Sequence, residues 1–249
     1  MKNILIALAL TFSLGTAASA FDMGDMSDSE RQTFRDEIRT YLLENPEVLM
    51  EAIGVLEARE QDEQVANDVA LAQTNAETLF EDGHSLVWGN PEGDITMVEF
   101  MDYRCSFCRR AHPEIAELVE TDGNIRIITK EFPILGEQSV LASRFALATK
   151  MIAGDEAYKM ISDALMTMRS DMTEDSLSRL ADEFDLDTGA IMGAMSSDDI
   201  TTVLSENRLL GQRLLITGTP TFVVEDQMLR GYLPLAQMQE VVARVRDGG

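Results

Sequence analysis

The chain is poor in cysteine, histidine and basic residues. Its 249 residues include two Cys, two His and one Trp, and 44 acidic side chains stand against 20 basic ones. A formal net charge of −24 repels nucleic-acid phosphates, and no run of Lys or Arg forms a basic patch, so we expect no nucleic-acid partner. The apolar content of 45% excludes a wholly disordered chain.

The sequence also lacks an apolar run long enough to span a bilayer. The strongest candidate lies at the N-terminus, where Lys2 precedes a stretch of about eleven mostly apolar residues ending at Leu14. A membrane-spanning helix needs about twenty such residues. Because the small residues Ala18-Ser19-Ala20 follow, the pattern predicts a signal peptide over residues 1–20. We therefore expect an exported protein, located in the periplasm if the source is a Gram-negative bacterium.

Residues 21–85 read as an N-terminal helical extension. Apolar residues recur at helical spacing from Phe34 to Leu42, and Asn45-Pro46 predicts the start of a second helix. A heptad-like seam follows, made of Val65, Val69, Ala72, Ala76 and Leu79. Two interpretations of the seam stay open: a helix that lies on its own domain, and a segment through which copies of the chain associate.

Residues 86–249 read as an α/β domain, with the break in pattern at Gly89–Gly93 as the boundary. Residues 95–103 predict a buried strand, a helix follows through Leu118, and residues 124–130 predict a second strand, which together make a βαβ unit. About eighty residues of helical pattern come next. The chain then returns to strand at residues 219–224 and 228–232 and closes with a helix from Leu235 to Val245.

Both cysteines lie in one tetrapeptide, Cys105-Ser106-Phe107-Cys108. A disulfide across so short a loop constrains the unfolded chain little, so a purely structural role explains the cysteine pair poorly. At the junction of a strand and a helix, the first thiol faces free N–H groups and the positive end of the helix dipole, which favour the thiolate. We expect Arg104, Arg109 and Arg110 to favour it further. The second thiol, one turn deeper, can resolve a mixed disulfide formed by the first.

Metal and haem chemistry fit the tetrapeptide less well. Attachment of c-type haem needs His directly after the second Cys, and Arg109 stands there. Zinc takes about four ligands, whereas the chain offers two thiols, with His112 one turn beyond them and His84 before the boundary. A Cu(I) site made of the two thiolates stays open as an alternative. We predict no cofactor and no dedicated metal site.

Three ordered motifs carry a resemblance to a known family. They are residues 98–108 (VEFMDYRCSFC), residues 130–136 (KEFPILG) and residues 218–222 (GTPTF). Together they resemble the DsbA-like thiol–disulfide oxidoreductases, in the subgroup of the copper-sensitivity suppressor C proteins. The resemblance covers about residues 86–246, and residues 28–60 look like the small helical extension of that subgroup. It implies an α/β thioredoxin fold with a helical insertion at about residues 137–215.

The resemblance also implies roles for particular residues. Cys105 matches the nucleophile and Cys108 the resolving thiol. Glu99 matches the family's buried acid, and Lys130 matches the basic partner of that acid on the adjacent strand. A carboxylate under the cysteines is suited to relay the proton that Cys108 loses or gains. Thr219-Pro220 matches the cis-proline loop, which offers backbone groups to a substrate peptide in extended form.

The sequence therefore predicts an exported thiol–disulfide oxidoreductase that acts on cysteine-containing protein substrates. The resemblance further implies a membrane redox partner that recycles the cysteine pair. Whether the enzyme is an oxidase or an isomerase stays open, and a copper-tolerance protein that binds Cu(I) through the two thiolates is the alternative. We expect a homo-oligomer through residues 28–82, since tethering several active sites helps an isomerase.

Overall fold

The computed structural model describes residues 26–248, so the predicted signal peptide lies outside the described residues. No helix between residues 26 and 248 has both the length and the apolar character to cross a membrane. The chain divides into two compact units, at Met1–Arg59 and Glu60–Gly249.

The first unit contains helix α1 (Asp28–Glu44) and the start of helix α2 (Glu47–Thr74). Ser27 caps α1, since its hydroxyl accepts from the N–H of Glu30 while the Glu30 carboxylate accepts from the N–H of Ser27. As Asn45-Pro46 predicts, one helix ends there and the next begins. Within the described part of this unit, most of the large apolar side chains are exposed: Phe34, Ile38, Tyr41, Leu43, Leu49, Met50, Ile53, Val55 and Leu56.

The second unit is built on a five-stranded mixed sheet. Its strands are β1 (Leu86–Gly89), β2 (Ile95–Met101), β3 (Ile125–Glu131), β4 (Thr221–Val224) and β5 (Gln227–Arg230), in the order β1-β3-β2-β4-β5. Strands β2 and β3 are parallel, and the other neighbouring pairs are antiparallel. The α/β fold predicted from the sequence is confirmed. Strand β1 was not predicted. Because of this strand, the sheet begins before the break at Gly89–Gly93 rather than after it.

Seven further helices surround the sheet. They are α3 (Ala76–Phe80), α4 (Ser106–Asp122), α5 (Glu137–Thr167), α6 (Glu174–Glu183), α7 (Thr188–Ala194), α8 (Asp198–Arg213) and α9 (Leu235–Arg246). Helix α4 connects β2 to β3, and helices α5 to α8 all lie between β3 and β4, where the resemblance implies the insertion. Gly154 interrupts α5 with a φ of 86°, a left-handed conformation that favours glycine.

The two faces of the sheet carry different partners, because side chains alternate along a strand. On one face, Met97 and its neighbours Ile127 and Phe222 pack with Ile115 of α4. On the other, Val98, Phe100 and Ile128 pack with residues of α2, α3 and α8, among them Ala72, Leu79 and Leu210.

This packing decides between the two interpretations of the heptad-like seam. Ala72 and Leu79 are buried against the sheet, whereas Val65 is exposed. Asp68, a few residues earlier, pairs with Arg230 of β5 at 2.7 Å. The C-terminal part of the seam, from Val69 to Leu79, is therefore a helix that lies on its own domain, whereas residues 60–67 are exposed.

Candidate active site

The two cysteines lie where β2 leads into α4. Strand β2 ends at Met101, and α4 begins at Ser106 with Cys105 as its N-cap residue. Cys105 is 7% exposed, and Cys108, one turn into the helix, is fully buried. Both thiols are unbridged. The first sulfur therefore lies at the surface end of the helix and the second lies beneath it.

The surroundings drive the two thiol pKa values apart. A hydrogen bond from the Cys108 thiol lowers the pKa of Cys105 to about 5, against the effect of burial. Hydrogen bonds from the Thr219 side chain and from backbone N–H groups at the start of α4 lower it further. For Cys108, the hydrogen bond to Cys105, burial and the nearby Glu99 charge all raise the pKa. At neutral pH, Cys105 is therefore a thiolate and Cys108 is a thiol.

The loop at Thr219-Pro220 lies directly against Cys105, although 114 residues separate Thr219 from Cys105. The peptide bond between Thr219 and Pro220 is cis, as the resemblance implies. The sulfur of Cys105 lies 3.1 Å from the carbonyl oxygen of Thr219. Strand β4, which follows, is hydrogen-bonded to β2 and so holds this loop beside the start of α4.

Glu99 lies on the face of the sheet that α4 covers. It is 5% exposed, and its Oε1 atom is buried with no hydrogen-bond partner within residues 26–248. Burial raises the pKa of Glu99 to about 7, although the charges of His112 and Lys159 oppose this. Its charge is in turn one of the causes that raise the pKa of Cys108. The structure thus brings Glu99 together with the cysteine pair.

The expected pairing of Glu99 with Lys130 is wrong. In the β2–β3 register, Glu99 is opposite Thr129 and Lys130 is opposite Phe100, so their side chains point to opposite faces of the sheet. The ammonium of Lys130 is fully buried and donates to the carbonyl of Thr78 at 3.0 Å and to the carboxylate of Asp82. Lys130 therefore ties β3 to α3 and to the segment that follows it, away from the cysteines.

The three arginines around the cysteine pair have other partners. Arg109 donates to the carbonyls of Tyr103 and Met168, both at 2.6 Å, and so joins the loop before Cys105 to the end of α5. Arg110 lies 4.3 Å from the centre of the Tyr232 ring, and Arg104 is 3.6 Å from Asp171. The lowered pKa of Cys105 comes chiefly from Cys108, Thr219 and the helix start. The expected contribution of these arginines is not among its main causes.

Sequence reasoning missed a second buried carboxyl group, that of Glu131. Its Oε1 accepts from the hydroxyls of Tyr103 at 2.7 Å and Tyr158 at 2.6 Å, and its Oε2 accepts from Ser143 at 2.6 Å. Tyr103 is two residues before Cys105, so this network joins the loop before the active site to the helical insertion. Strand alternation, which places Thr129 and Glu131 on one face, was the available signal for its burial.

An aromatic pair borders the site. Phe107, the second residue between the cysteines, is 55% exposed and stacks on Tyr232 with ring centres 6.4 Å apart. The Tyr232 hydroxyl donates to Glu114 at 2.6 Å, which fixes the ring against α4. The surface beside Cys105 therefore combines an exposed apolar ring with the arginine that lies over Tyr232.

A thiolate at a helix start, a buried second thiol and a cis-proline loop beside them define a thioredoxin-type active site. Comparison with known proteins agrees, since the family model described as Thioredoxin matches residues 81–244. The chain belongs to the thioredoxin family. Residues 30–63 match the model described as Copper resistance protein ScsC N-terminal domain, so the resemblance to DsbA-like oxidoreductases of the copper-sensitivity suppressor C subgroup is confirmed.

Solved structures agree with this assignment. A thioredoxin-like oxidoreductase from Silicibacter pomeroyi DSS-3 is 40% identical, with a TM-score of 0.66 over 70% of this chain and 99% of that one. ScsC from Proteus mirabilis, in a transitional conformation, is 26% identical, with a TM-score of 0.65 over 92% of this chain and 100% of that one.

Among curated proteins, the chain is 25% identical to the Na(+)/H(+) antiporter NhaA 3 from Salinispora tropica over 66% of its own length. It spans only 26% of that antiporter.

Proposed function

We propose that this protein is an exported thiol–disulfide oxidoreductase that acts on the cysteines of other proteins, with Cys105 as nucleophile. The observation that carries the proposal is the pair of opposed thiols: Cys105 has a pKa lowered to about 5, and Cys108 beneath it has a raised one. Thiolate is the reactive form in disulfide exchange. At neutral pH the Cys105 sulfur is thus ionised and able to attack, whereas the Cys108 sulfur stays protonated until the second step.

Exchange proceeds in two steps through a mixed disulfide. The Cys105 thiolate attacks one sulfur of a substrate disulfide, the substrate S–S bond breaks, and its second sulfur leaves as a thiolate that takes up a proton. Cys108 then loses its proton and attacks the Cys105 sulfur, which releases the first substrate sulfur as a thiol. The substrate gains two electrons, the cysteine pair loses two, and the reverse sequence oxidises a dithiol substrate.

Glu99 would serve the second step as general base. Cys108 must lose its proton to attack, yet it is buried and its pKa is raised. The carboxyl group of Glu99, on the covered face of β2 with one oxygen unpaired, has a pKa of about 7, which suits a group that takes and returns a proton near neutral pH. This role needs no cofactor.

The loop at Thr219-Pro220 would hold the substrate chain. Its carbonyl lies 3.1 Å from the Cys105 sulfur, so an extended peptide that pairs with this backbone would bring its own cysteine to the nucleophile. The exposed ring of Phe107 offers an apolar surface for a neighbouring side chain. Because pairing with backbone groups does not depend on the substrate's side chains, we expect a broad range of protein substrates.

The direction of electron flow depends on the protein that recycles the cysteine pair. We propose that this protein is a membrane redox partner that reaches the cysteine pair from the periplasmic side. A lowered Cys105 pKa stabilises the reduced form and makes the disulfide oxidising, as for an oxidase. Several linked active sites favour an isomerase. A refolding assay with scrambled, reduced and oxidised substrates separates these activities.

The sequence predicts self-association through residues 28–82, but only part of this range has exposed apolar side chains suited to it. The exposed apolar side chains concentrate before residue 60, whereas Ala72 and Leu79 are buried in the sheet unit. We therefore propose that copies of the chain associate through residues 28–59. Deletion of residues 21–59, which spares the packed segment, should give a monomer by sedimentation that still exchanges thiols. A monomeric full-length chain at micromolar concentration would refute the association.

The central experiment compares two cysteine variants of the mature protein. Cys105→Ser should abolish the reduction of a disulfide substrate without loss of the fold. Cys108→Ala should instead accumulate mixed disulfides with substrates, because the release step is removed. Turnover by Cys105→Ser at the wild-type rate would rule out the proposed function.

Copper binding is the second candidate, and it is favoured by the match of residues 30–63 to the copper resistance model. Soft thiolates select Cu(I), so the reduced pair is a possible site. Against it, Cys108 is fully buried with a raised pKa, and residues 26–248 contain no cluster of three or more His, Cys, Asp or Glu side chains suited to a metal ion. Tight, stoichiometric Cu(I) binding that needs both thiols, without thiol exchange, would favour this candidate.

A further inference from the structure

The cationic partners of Glu99 lie on the helices above the sheet rather than on the adjacent strand. Around Glu99, Thr129 is the opposite residue on β3, and the indole N–H of Trp88 on β1 donates to the Thr129 hydroxyl at 3.0 Å. The ammonium of Lys159, on α5, lies 4.8 Å from the centre of the Trp88 ring. A chain of contacts thus leads from the residue opposite Glu99 to a lysine.

The same chain of contacts continues back to the cysteine helix. Lys159 donates to both oxygens of Asp163, at 2.6 and 2.7 Å. Asp163 is also 3.0 Å from the Nε2 atom of His112. His112 stands on α4 one turn after Cys108. Lys159, Asp163 and His112, which we call the α4–α5 cluster, therefore join the two helices on the covered side of Glu99.

We propose that Lys159 and His112 are positioning residues that favour the ionised form of Glu99, in which it can accept the proton of Cys108. The proposal rests on the proposed function for its kinetic consequence. Asp163 serves it by contacting both side chains at once. Lys130 takes no part, because it points to the other face of the sheet.

The charged and titratable groups that face Glu99 support this assignment. Helix α4 supplies Cys108 and His112, and helix α5 supplies Lys159 and Asp163. The residues opposite Glu99 on β3 and β4 are Thr129 and Phe222, neither of which carries a charge. His112 and Lys159 are the groups that lower the pKa of Glu99 against the effect of burial. Without them, burial alone would set its ionisation.

The consequence falls on the release step. As a base, Glu99 works when ionised, and its ionised fraction falls as pH drops below its pKa. Loss of one cation should raise that pKa, by up to about one pH unit for a charge outside direct contact. At a fixed pH below it, release of substrate from the mixed disulfide should then slow by up to about tenfold.

The test follows release of a substrate from its preformed mixed disulfide with Cys105 across a range of pH. We expect Lys159→Gln and His112→Gln each to move the profile to higher pH and to approach the wild-type rate at high pH. Lys159→Arg should restore the wild-type profile, because it keeps the charge. Lys150→Gln is the matched control on the same helix, since Lys150 pairs with Asp155. His84→Gln is the control for His112.

A second measurement needs no substrate. Carboxyl NMR titration of the reduced protein, with the Glu99 signal assigned by its loss in Glu99→Gln, should give a higher pKa for Glu99 in Lys159→Gln than in wild type. An unchanged Glu99 pKa in both Lys159→Gln and His112→Gln would overturn the inference, whether or not the enzyme is active. Failure of wild-type protein to release any substrate would instead overturn the proposed function, and the titration would still decide the role of Lys159.

Discussion

Two buried carboxyl groups, two residues apart in register on one face of the sheet, have opposite surroundings. Glu131 accepts from three hydroxyl groups, whereas Glu99 has a buried oxygen with no partner among the described residues. Burial is the largest cause that raises the pKa of each, to about 7. A carboxyl group held by three donors fixes the structure around it, and a carboxyl group left unpaired beside a thiol is free to exchange a proton.

The largest expected effect is a difference in protein stability between variants of the two carboxyl groups. Glu131→Ala removes the carboxylate that accepts from three buried hydroxyls, of which Tyr103 keeps a second partner in Ser162 at 3.1 Å. Each unpaired hydroxyl costs about 1–3 kcal/mol, so we expect the free energy of unfolding to fall by about 4 kcal/mol. Glu99→Ala removes no hydrogen bond and should cost far less. Urea unfolding of both variants measures this. Equal losses for the two would show that the comparison is wrong.

The second prediction concerns the pH dependence of stability. In the unfolded chain Glu99 ionises near its ordinary value of 4.5, and in the folded protein near 7. Its folded form therefore binds a proton that the unfolded form releases, and stability is lost as pH rises from about 4.5 to about 7. Glu99→Gln should gain about 3 kcal/mol relative to wild type across this range and no more above it.

Unfolding measured at several pH values tests this second prediction. Glu131→Gln should show the same rise with pH but start from a deficit at low pH, since an amide nitrogen replaces one acceptor oxygen. A flat difference between wild type and Glu99→Gln from pH 4.5 to pH 7 would contradict the assigned pKa.

Third, the two groups should differ in exchange. Glu99→Gln removes the base for Cys108 and should slow release from the mixed disulfide by about a hundredfold, the low end for general acid–base catalysis. Attack by Cys105 should keep its rate, because that thiolate does not need Glu99. Stopped-flow measurement of both steps separates them. Equal slowing of attack and release would return Glu99 to a structural role.

The smallest effect tests the Glu131 network alone. Tyr158→Phe removes one of its three donors and should cost about 1 kcal/mol of stability, the usual contribution of one hydrogen bond. The pH profile of exchange should not change, since this hydroxyl binds Glu131 rather than Glu99. A shifted profile in Tyr158→Phe would show that the two carboxyl groups act together.

Local pattern predicted the strands β2 and β3 and the helix that follows the cysteines, because each element carries its own periodicity. Strand β1 escaped prediction, since its four residues run directly into the break in pattern at Gly89–Gly93, which marked the boundary. The partner of Glu99 was missed for a different reason. A shift of one residue along a strand reverses the face, so Thr129 and Lys130 could be told apart only once the register was known.

The contact partners of Lys159 and Glu131 could not be predicted either. Lys159 follows the interruption of α5 at Gly154, and its approach to β1 depends on how the insertion packs. Glu131 looks like a polar residue at a strand end until Tyr103 and Tyr158 surround it. In both cases the information lies in contacts between distant segments, which periodicity does not encode.

The position of Trp88 gives the protein an optical signal of its own. It is the single tryptophan of the chain, its indole donates to Thr129 opposite Glu99, and the charge of Lys159 lies over its ring. Indole emission responds to nearby charge, and here no second tryptophan overlays it. The intrinsic fluorescence of unlabelled protein should therefore follow changes in ionisation beside the buried thiol as they occur.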